Sequence, residues 1–372
     1  MKTKSFIIFI TLILCLSSCQ QMKRYKAQWG DAEDKIELGK QYEYGNEVAK
    51  DLKEAVRWYQ MASDDENAEG QYLLGLCYAE GKGVTEDDKA ALKLFTLSAE
   101  QGYAAGEYEL ARAYWNGCGT VPNYAKAAEL FKKAAEHGNA DAMLRIGTMY
   151  YNGEFVNQNM GLAIKYFKKA IEKNISAAKY QLGLCYAYGH GTKRDEQKAL
   201  QLFSKAADEG VADAQNKMGE WLENGIACDP NPAKAVGYYQ LAVGKKHAVA
   251  EYNLGACYYY GNGVPKNYAK AFKYFKAAAE EGVIPAEYYL GICYFQGEGT
   301  KKDKEQAIKW LRIAAEDGDS DALNILLQID TYNQKLSEYN SNGYYLVVNE
   351  DAMKEEFTEE ELRASGDSTL IQ

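Results

Sequence analysis

Apolar residues along most of this chain recur three and four positions apart, the spacing of a helix with one buried face. Leu74, Gly75 and Tyr78 show it, and so do Leu254, Gly255 and Tyr258. A second kind of segment follows each of these, with Ala127, Phe131, Ala134 and Ala135 as its pattern. The two segments alternate with a period of 36 residues. Gly39, Gly75, Gly147, Gly183, Gly219, Gly255 and Gly291 stand on that grid, and Ala111 fills the remaining point. Six residues after each point stands a glycine: Gly45, Gly81, Gly117, Gly153, Gly189, Gly225, Gly261 and Gly297. Sixteen residues after stands an alanine: Ala55, Ala91, Ala127, Ala163, Ala199, Ala235, Ala271 and Ala307. A fixed period of this length marks a repeat architecture. Eight copies run without insertion from about Asp31 to Gly318.

The punctuation predicts two helices per copy. The glycine six positions on ends the first helix as a C-terminal cap, and Gly83, Gly119, Gly191, Gly263 and Gly299, two further on, make the turn. Twelve residues after each grid point comes Asp or Asn, from Asp51 and Asp87 to Asn267 and Asp303. A side-chain oxygen there caps the first free N–H groups of the second helix. Gly102, Gly138, Gly210, Gly282 and Gly318 close that helix. The grid glycine lets the partner helix approach closely. One hairpin cannot bury its apolar stripe alone. Stacked hairpins can, so the predicted fold is all-α, a solenoid.

Ala250, Tyr252, Leu254, Gly255, Tyr258, Gly261, Gly263, Ala271, Phe275, Ala278 and Ala279 spell out one full copy. This pattern resembles the Sel-one-like repeat (SLR), a sub-class of the tetratricopeptide (TPR) repeat, over about Asp31 to Ala322. The resemblance implies a right-handed superhelix of antiparallel helix pairs. It also implies an adaptor or scaffold for other proteins, without cofactor or catalysis of its own. In TPR geometry the positions three before, and one, four and five after, the grid point face the concave side. Trp115, Tyr151, Tyr259 and Phe295 hold the four-after position, and Tyr44, Tyr188 and Tyr260 the five-after position. These rings vary between copies. Trp115, Tyr151, Tyr188, Tyr259, Tyr260 and Phe295 are therefore the candidate partner-binding residues, with packing as the competing role. Tyr72, Tyr108, Tyr180, Tyr252 and Tyr288, three before the grid point, belong to the family pattern and are assigned to packing. Asp213, Glu220 and Glu223 add an acidic stretch in copy six that disfavours anionic partners. Copy one has Glu47 in place of the second loop glycine. Copy six has Leu222 for Tyr, Ala227 for Gly and a Pro230-Asn231-Pro232 loop, which predicts a kink or a specialised loop.

The ends differ from the array. Lys2 and Lys4 precede an apolar run from Phe6 to Leu14, and Leu16-Ser17-Ser18-Cys19 follows. The run is a secretory signal, too short to span a membrane permanently. The last four residues resemble the bacterial lipobox, which implies a signal peptide at 1–18 and a diacylglyceryl thioether on Cys19. Gln20 and Gln21 in place of Asp imply an outer membrane where the host has one. Residues 19–30 read as the lipidated cysteine and a short tether. Residues 319–333 read as a capping helix with Ala322, Leu323, Leu326 and Leu327 covering the last open face. Residues 334–372 read as an acidic, partly disordered tail. Within it Tyr344 to Val348 is strand-like, and Thr358 with Glu361 offers a capping box.

Composition narrows the chemistry. The 372 residues are 47% hydrophobic and 26% charged, which is globular rather than disordered. A net charge of -10 argues against nucleic acid, which needs a basic face. The three histidines stand at different repeat positions, so no metal centre is expected. Cys77, Cys185, Cys257 and Cys293 all stand two residues after the grid glycine, and such sites in adjacent hairpins lie about 10 Å apart, beyond the ~7 Å reach of a disulfide. Small buried core residues are the expected role. Cys118 and Cys228 lie in turns three copies apart, and one mixed pair stays open. Ser176-Ala177-Ala178-Lys179 matches the nucleophile motif of serine β-lactamases, but no Lys-Thr-Gly or Ser-Asp-Asn accompanies it. A four-residue motif at the start of a repeat helix is read as coincidence.

The sequence thus predicts a lipid-anchored scaffold of the bacterial cell envelope that binds proteins or peptides in a Tyr-rich groove. A cell-wall enzyme, a β-lactam- or peptidoglycan-interacting protein, and a glycan binder are the alternatives. Cys19→Ser is expected to release the chain from the membrane fraction. Unchanged fractionation would remove the lipid anchor from the picture.

Overall fold

The computed structural model describes residues 21–341, with side chains through residue 330. The signal peptide, Cys19 and the strand-like run at 344–348 lie outside the described residues. Every regular element among the described residues is a helix.

Residues 21–29 form α1. Copy one is α2 (Ala32–Tyr44) and α3 (Leu52–Asp64), and copy two is α4 (Ala68–Glu80) and α5 (Asp88–Glu100). Copy three is α6 (Ala104–Asn116) and α7 (Tyr124–Glu136), and copy four α8 (Ala140–Asn152) and α9 (Met160–Glu172). Copy five is α10 (Ser176–Tyr188) and α11 (Glu196–Asp208), and copy six α12 (Ala212–Asn224) and α13 (Pro232–Val243). Copy seven is α14 (Ala248–Tyr260) and α15 (Tyr268–Glu280), copy eight α16 (Ile284–Gln296) and α17 (Lys304–Glu316), and α18 (Ser320–Ser341) follows. The chain forms two compact units, one ending at Asp195 and one beginning at Glu196. Within each unit, consecutive repeat helices pack on one another.

The caps fall where the sequence places them. Asp51, Asp87, Asn123, Asn159, Asn231, Asn267 and Asp303 each accept a backbone N–H in the first turn of the following helix. The alanines sixteen after the grid point are all buried. A side chain twenty after the grid point lies against the grid glycine. A Cβ on Gly75 would sit 2.6 Å from the Phe95 ring, and one on Gly219 would sit 2.4 Å from the Tyr239 ring. A Cβ on the second loop glycine would strike the preceding copy's second helix, as on Gly299, 2.1 Å from the Tyr268 carbonyl. Cys77, Cys185, Cys257 and Cys293 are buried free thiols. Burial pushes Cys77, Cys257 and Cys293 up to about 12 and Cys185 to about 11.

Four expectations need correction. The segment read as a tether is largely helical: α1 buries Ala27 against Leu38, Tyr42 and Trp58 of copy one. The last helix runs on to Ser341, past residue 333. It covers copy eight with Ala322, Ile325 and Ile329, whereas Leu323 and Leu327 are about half exposed. The loop of copy six is ordinary. Ala227 takes the left-handed conformation that glycine has elsewhere, with φ +57°, and Pro232 opens α13 as its first residue, where no N–H is needed.

The open ends of the first three hairpins are bridged by residues thirty apart. Lys35 pairs with Asp65, Gln101 donates to Gln71 at 2.8 Å, and His137 meets Glu107 at 2.8 Å. Copy eight has Glu287 and Asp317 in these places. Glu287 is buried, and its Oε2 has no hydrogen-bond partner. Burial, then the charges of Asp317 and Asp319, holds its carboxyl above the ordinary glutamate range.

Gly75→Val is expected to cost about 1–3 kcal/mol through overpacking against Phe95, read as a lower melting temperature. Copy three absorbs a single methyl at Ala111, so the branched side chain is the discriminating change. Glu287 is protonated more readily in the folded chain than in the unfolded one. Stability should therefore rise as pH falls from 7 toward the ordinary carboxylate range. Glu287→Gln, which mimics the protonated form, is expected to gain on the order of 1 kcal/mol at pH 7, with the gain shrinking as pH falls. Thermal unfolding of both chains across that pH range checks it.

Candidate functional site

The candidate rings occupy two kinds of place. Trp115, Tyr151, Tyr259 and Phe295 are half-buried, whereas Tyr188 and Tyr260 are exposed, as is Tyr44. The half-buried ones have work within the array. The four-after residue of one copy reaches the loop of the next. The Tyr151 hydroxyl meets His190 Nδ1 at 2.7 Å, and the Tyr259 hydroxyl donates to Glu298 at 2.5 Å. Burial, then the hydrogen bond to Glu298, holds the Tyr259 phenol protonated. Where this position is Glu, the reach is polar: Asn262 donates to Glu223 at 2.6 Å, and Lys82 lies 3.9 Å from Glu43. The same carboxylates accept from the tyrosine packed on the grid glycine, Tyr59 to Glu43 at 2.7 Å and Tyr239 to Glu223 at 2.8 Å.

Variation at this position therefore has a packing cause as well as any binding role. The acidic stretch of copy six is likewise engaged. Glu220 accepts from Asn216 and Lys217, and Asp213 pairs with His247, whose hydrogen bond holds the aspartate below its usual range.

Trp115 belongs to a cluster that the sequence pattern only half disclosed. The Arg145 guanidinium lies 4.1 Å from the centroid of its ring. Tyr124 meets its edge at 5.0 Å and Phe155 at 5.4 Å. Tyr124 and Phe155 stack on each other at 4.5 Å, and both are exposed, at 40% and 55%. Phe155 has φ +56°, a conformation that bulky residues rarely adopt. It stands where five other copies have the second loop glycine. That missing glycine was the signal available in the sequence. In copies seven and eight, Tyr259 meets Tyr260 edge-on at 5.0 Å, and the Tyr260 and Tyr289 hydroxyls lie 2.6 Å apart.

The Ser176 motif occupies the first turn of α10. Each histidine is held by a separate structural contact, His137 to Glu107, His190 to Tyr151 and His247 to Asp213. Among the described residues no group of three or more His, Cys, Asp or Glu side chains is arranged to hold a metal ion. No described helix is long and apolar enough to cross a membrane.

The Sel1 repeat pattern matches eight consecutive segments, residues 35–67, 68–103, 104–139, 140–175, 176–211, 212–246, 248–283 and 284–319. A solved protective antigen present in uropathogenic Escherichia coli strains, with an SLR fold, is 31% identical. That match covers 86% of this chain and 76% of the antigen, with a TM-score of 0.59. A solved Sel1 repeat protein from Oxalobacter formigenes is 28% identical, over 86% of this chain and 93% of its own, with a TM-score of 0.61. No curated protein matches the chain. Sel1 repeat proteins generally mediate protein–protein interaction and are typically non-catalytic scaffolds. With its 36-residue grid, its packed hairpins and eight matched segments, the chain belongs to the Sel1 repeat family.

Proposed function

We propose that the chain is a lipid-anchored adaptor of the bacterial cell envelope, on the outer membrane where the host has one, that holds a partner protein or peptide on exposed aromatic side chains of its repeats. The observation that carries this reading is the ledge formed by Tyr124 and Phe155 over Trp115. Two large rings stay exposed there, and one of them sits in a conformation that costs about 1–2 kcal/mol for an L-residue. Glu47 and Ala227 take the same left-handed conformation at this loop position, so what sets Phe155 apart is the large exposed ring that stands there. Tyr188 and Tyr260 offer further exposed rings in their own units. The half-buried Tyr259 meets Tyr260, Tyr151 shares the His190 ring with Tyr188, and Phe295 packs on the core of copy eight. The description of the E. coli relative as a protective antigen fits a place in the envelope.

Phe155→Gly separates binding from folding. It restores the residue that five other copies carry at this position and relieves the backbone. It also removes one ring of the ledge, where an anchoring aromatic commonly contributes 2 kcal/mol or more, about thirtyfold in affinity. The melting temperature is expected to hold or rise. Capture of envelope proteins, identified by crosslinking in intact cells, is expected to fall at least tenfold. Capture that survives both Phe155→Gly and Tyr260→Ala would move the site away from these rings.

A further inference from the structure

The first described helix has two opposite faces, and only one of them belongs to the array. Ala27 is 2% exposed, and Arg24 Nε donates to the Tyr42 hydroxyl at 2.6 Å. These two residues hold α1 against copy one. Met22, Tyr25 and Trp29 stand at i, i+3 and i+7, which puts them together on the other side of the helix. They are 70%, 70% and 74% exposed, the three most exposed large apolar side chains of the unit after Val121. A methionine and two aromatics in one row on a docked nine-residue helix are not needed for packing.

The position in the chain says what lies beside them. The lipobox cysteine, Cys19, is two residues before the helix. Two residues span at most about 7 Å, and the helix itself is only about 13 Å long. A diacylglyceryl group on Cys19 would therefore keep the whole row within about 20 Å of the anchor, so that a helix lying along the bilayer surface puts all three side chains at headgroup depth. Tyr and Trp are the side chains enriched at that depth, where one edge of the ring is wet and the rest is apolar. The charges are compatible. The helix carries Lys23, Arg24 and Lys26 and no acid, in a chain of net charge -10. Lys23 reaches Glu47, Arg24 reaches Glu54 and Lys26 reaches Asp34, so the acids nearest the helix are partly neutralised.

We infer that α1 is an interfacial helix whose Met22–Tyr25–Trp29 face lies in the bilayer surface around the lipid anchor, fixing the orientation of copy one against the membrane. The inference rests on the lipid-anchor reading and adds to it: a lipid on a loose tether would leave the array free to tumble, whereas a lipid followed by a docked interfacial helix would not.

The test follows the two claims separately. The full chain is expressed with an alkyne-bearing fatty acid to read acylation. It is then purified and reconstituted in phosphatidylethanolamine–phosphatidylglycerol vesicles containing brominated lipid, which quenches tryptophan at the interface. Of the five tryptophans, Trp58 and Trp221 are buried, Trp115 and Trp310 are half-buried and Trp29 is 74% exposed, so the part of the quenching lost in Trp29→Phe is the reporter. The expected result is an acylated chain whose fluorescence is quenched, with most of the quenching lost in Trp29→Phe. Acylation with no quenching, or quenching unchanged in Trp29→Phe, overturns the interfacial face and leaves the anchor standing. Absence of acylation removes the anchor and the inference with it. Self-association in detergent that disappears when Met22, Tyr25 and Trp29 are all changed to Ser would assign the face to a second copy and overturn the membrane placement.

Discussion

The contact on which everything else depends is between a bare backbone and a side chain. In the hairpins with a grid glycine a large residue of the second helix lies where a Cβ of the first helix would be, as Tyr59 does over Gly39 and Phe275 over Gly255. Glycine in a helix interior costs about 1 kcal/mol relative to alanine. The chain accepts that cost in seven of eight copies because close approach buries Tyr59, Phe167, Tyr239 and Phe275 almost completely. Once the helices are that close, the second helix has room only for alanine, or serine at Ser98, at the positions flanking the packed residue. The invariant alanines and the fixed loop length follow. So does the even register of the array.

That register sets up contacts between copies that a single hairpin cannot make. The residue four after the grid point faces the next copy's loop, and its identity is tuned to both neighbours. Where the packed residue is Tyr, the position is Glu and accepts the phenol proton, as in Glu43 and Glu223. Where it is Phe167 or Phe275, Tyr151 or Tyr259 stands there instead and reaches across to His190 or Glu298, and in copies two and five the position is Ala79 and Ala187. Variation at a repeat position is thus a mixture of local fit and exposed function. Exposure separates the two. By that measure Phe155 stands apart from Tyr151, although both lie in copy four.

The two ends of the array are treated differently. At the N-terminal end a short helix seals copy one and leaves an aromatic row outside. At the C-terminal end α18 continues the role of a first helix, with Ala322, Ile325 and Ile329 inside. It places Leu327 where the grid glycine would be, a side chain that would hold a second helix further off than glycine does. The open ends of copies seven and eight also differ from the first three, with two acids, Glu251 and Glu281 or Glu287 and Asp317, where those have complementary pairs.

The sequence by itself determined the repeat, its period, the two helices of each copy, their caps and the buried thiols. These depend on residues close in the chain or on a register that recurs eight times. Fold and family were therefore legible before any coordinates. The candidate site was legible only in part. Trp115 stood out by its position, but Tyr124 comes from the next helix and Phe155 from the next copy, 40 residues away. Only the stacking of hairpins brings the three rings together. The same reason hid the bonds of Tyr151 and Tyr259, whose partners lie 39 residues on. It also hid the helix at 21–29, whose nine residues carry too few apolar positions to fold alone and form a helix only because copy one offers a surface for Ala27. Local pattern fixes what a helix is. Which of its faces is left for something else is decided by what packs against it.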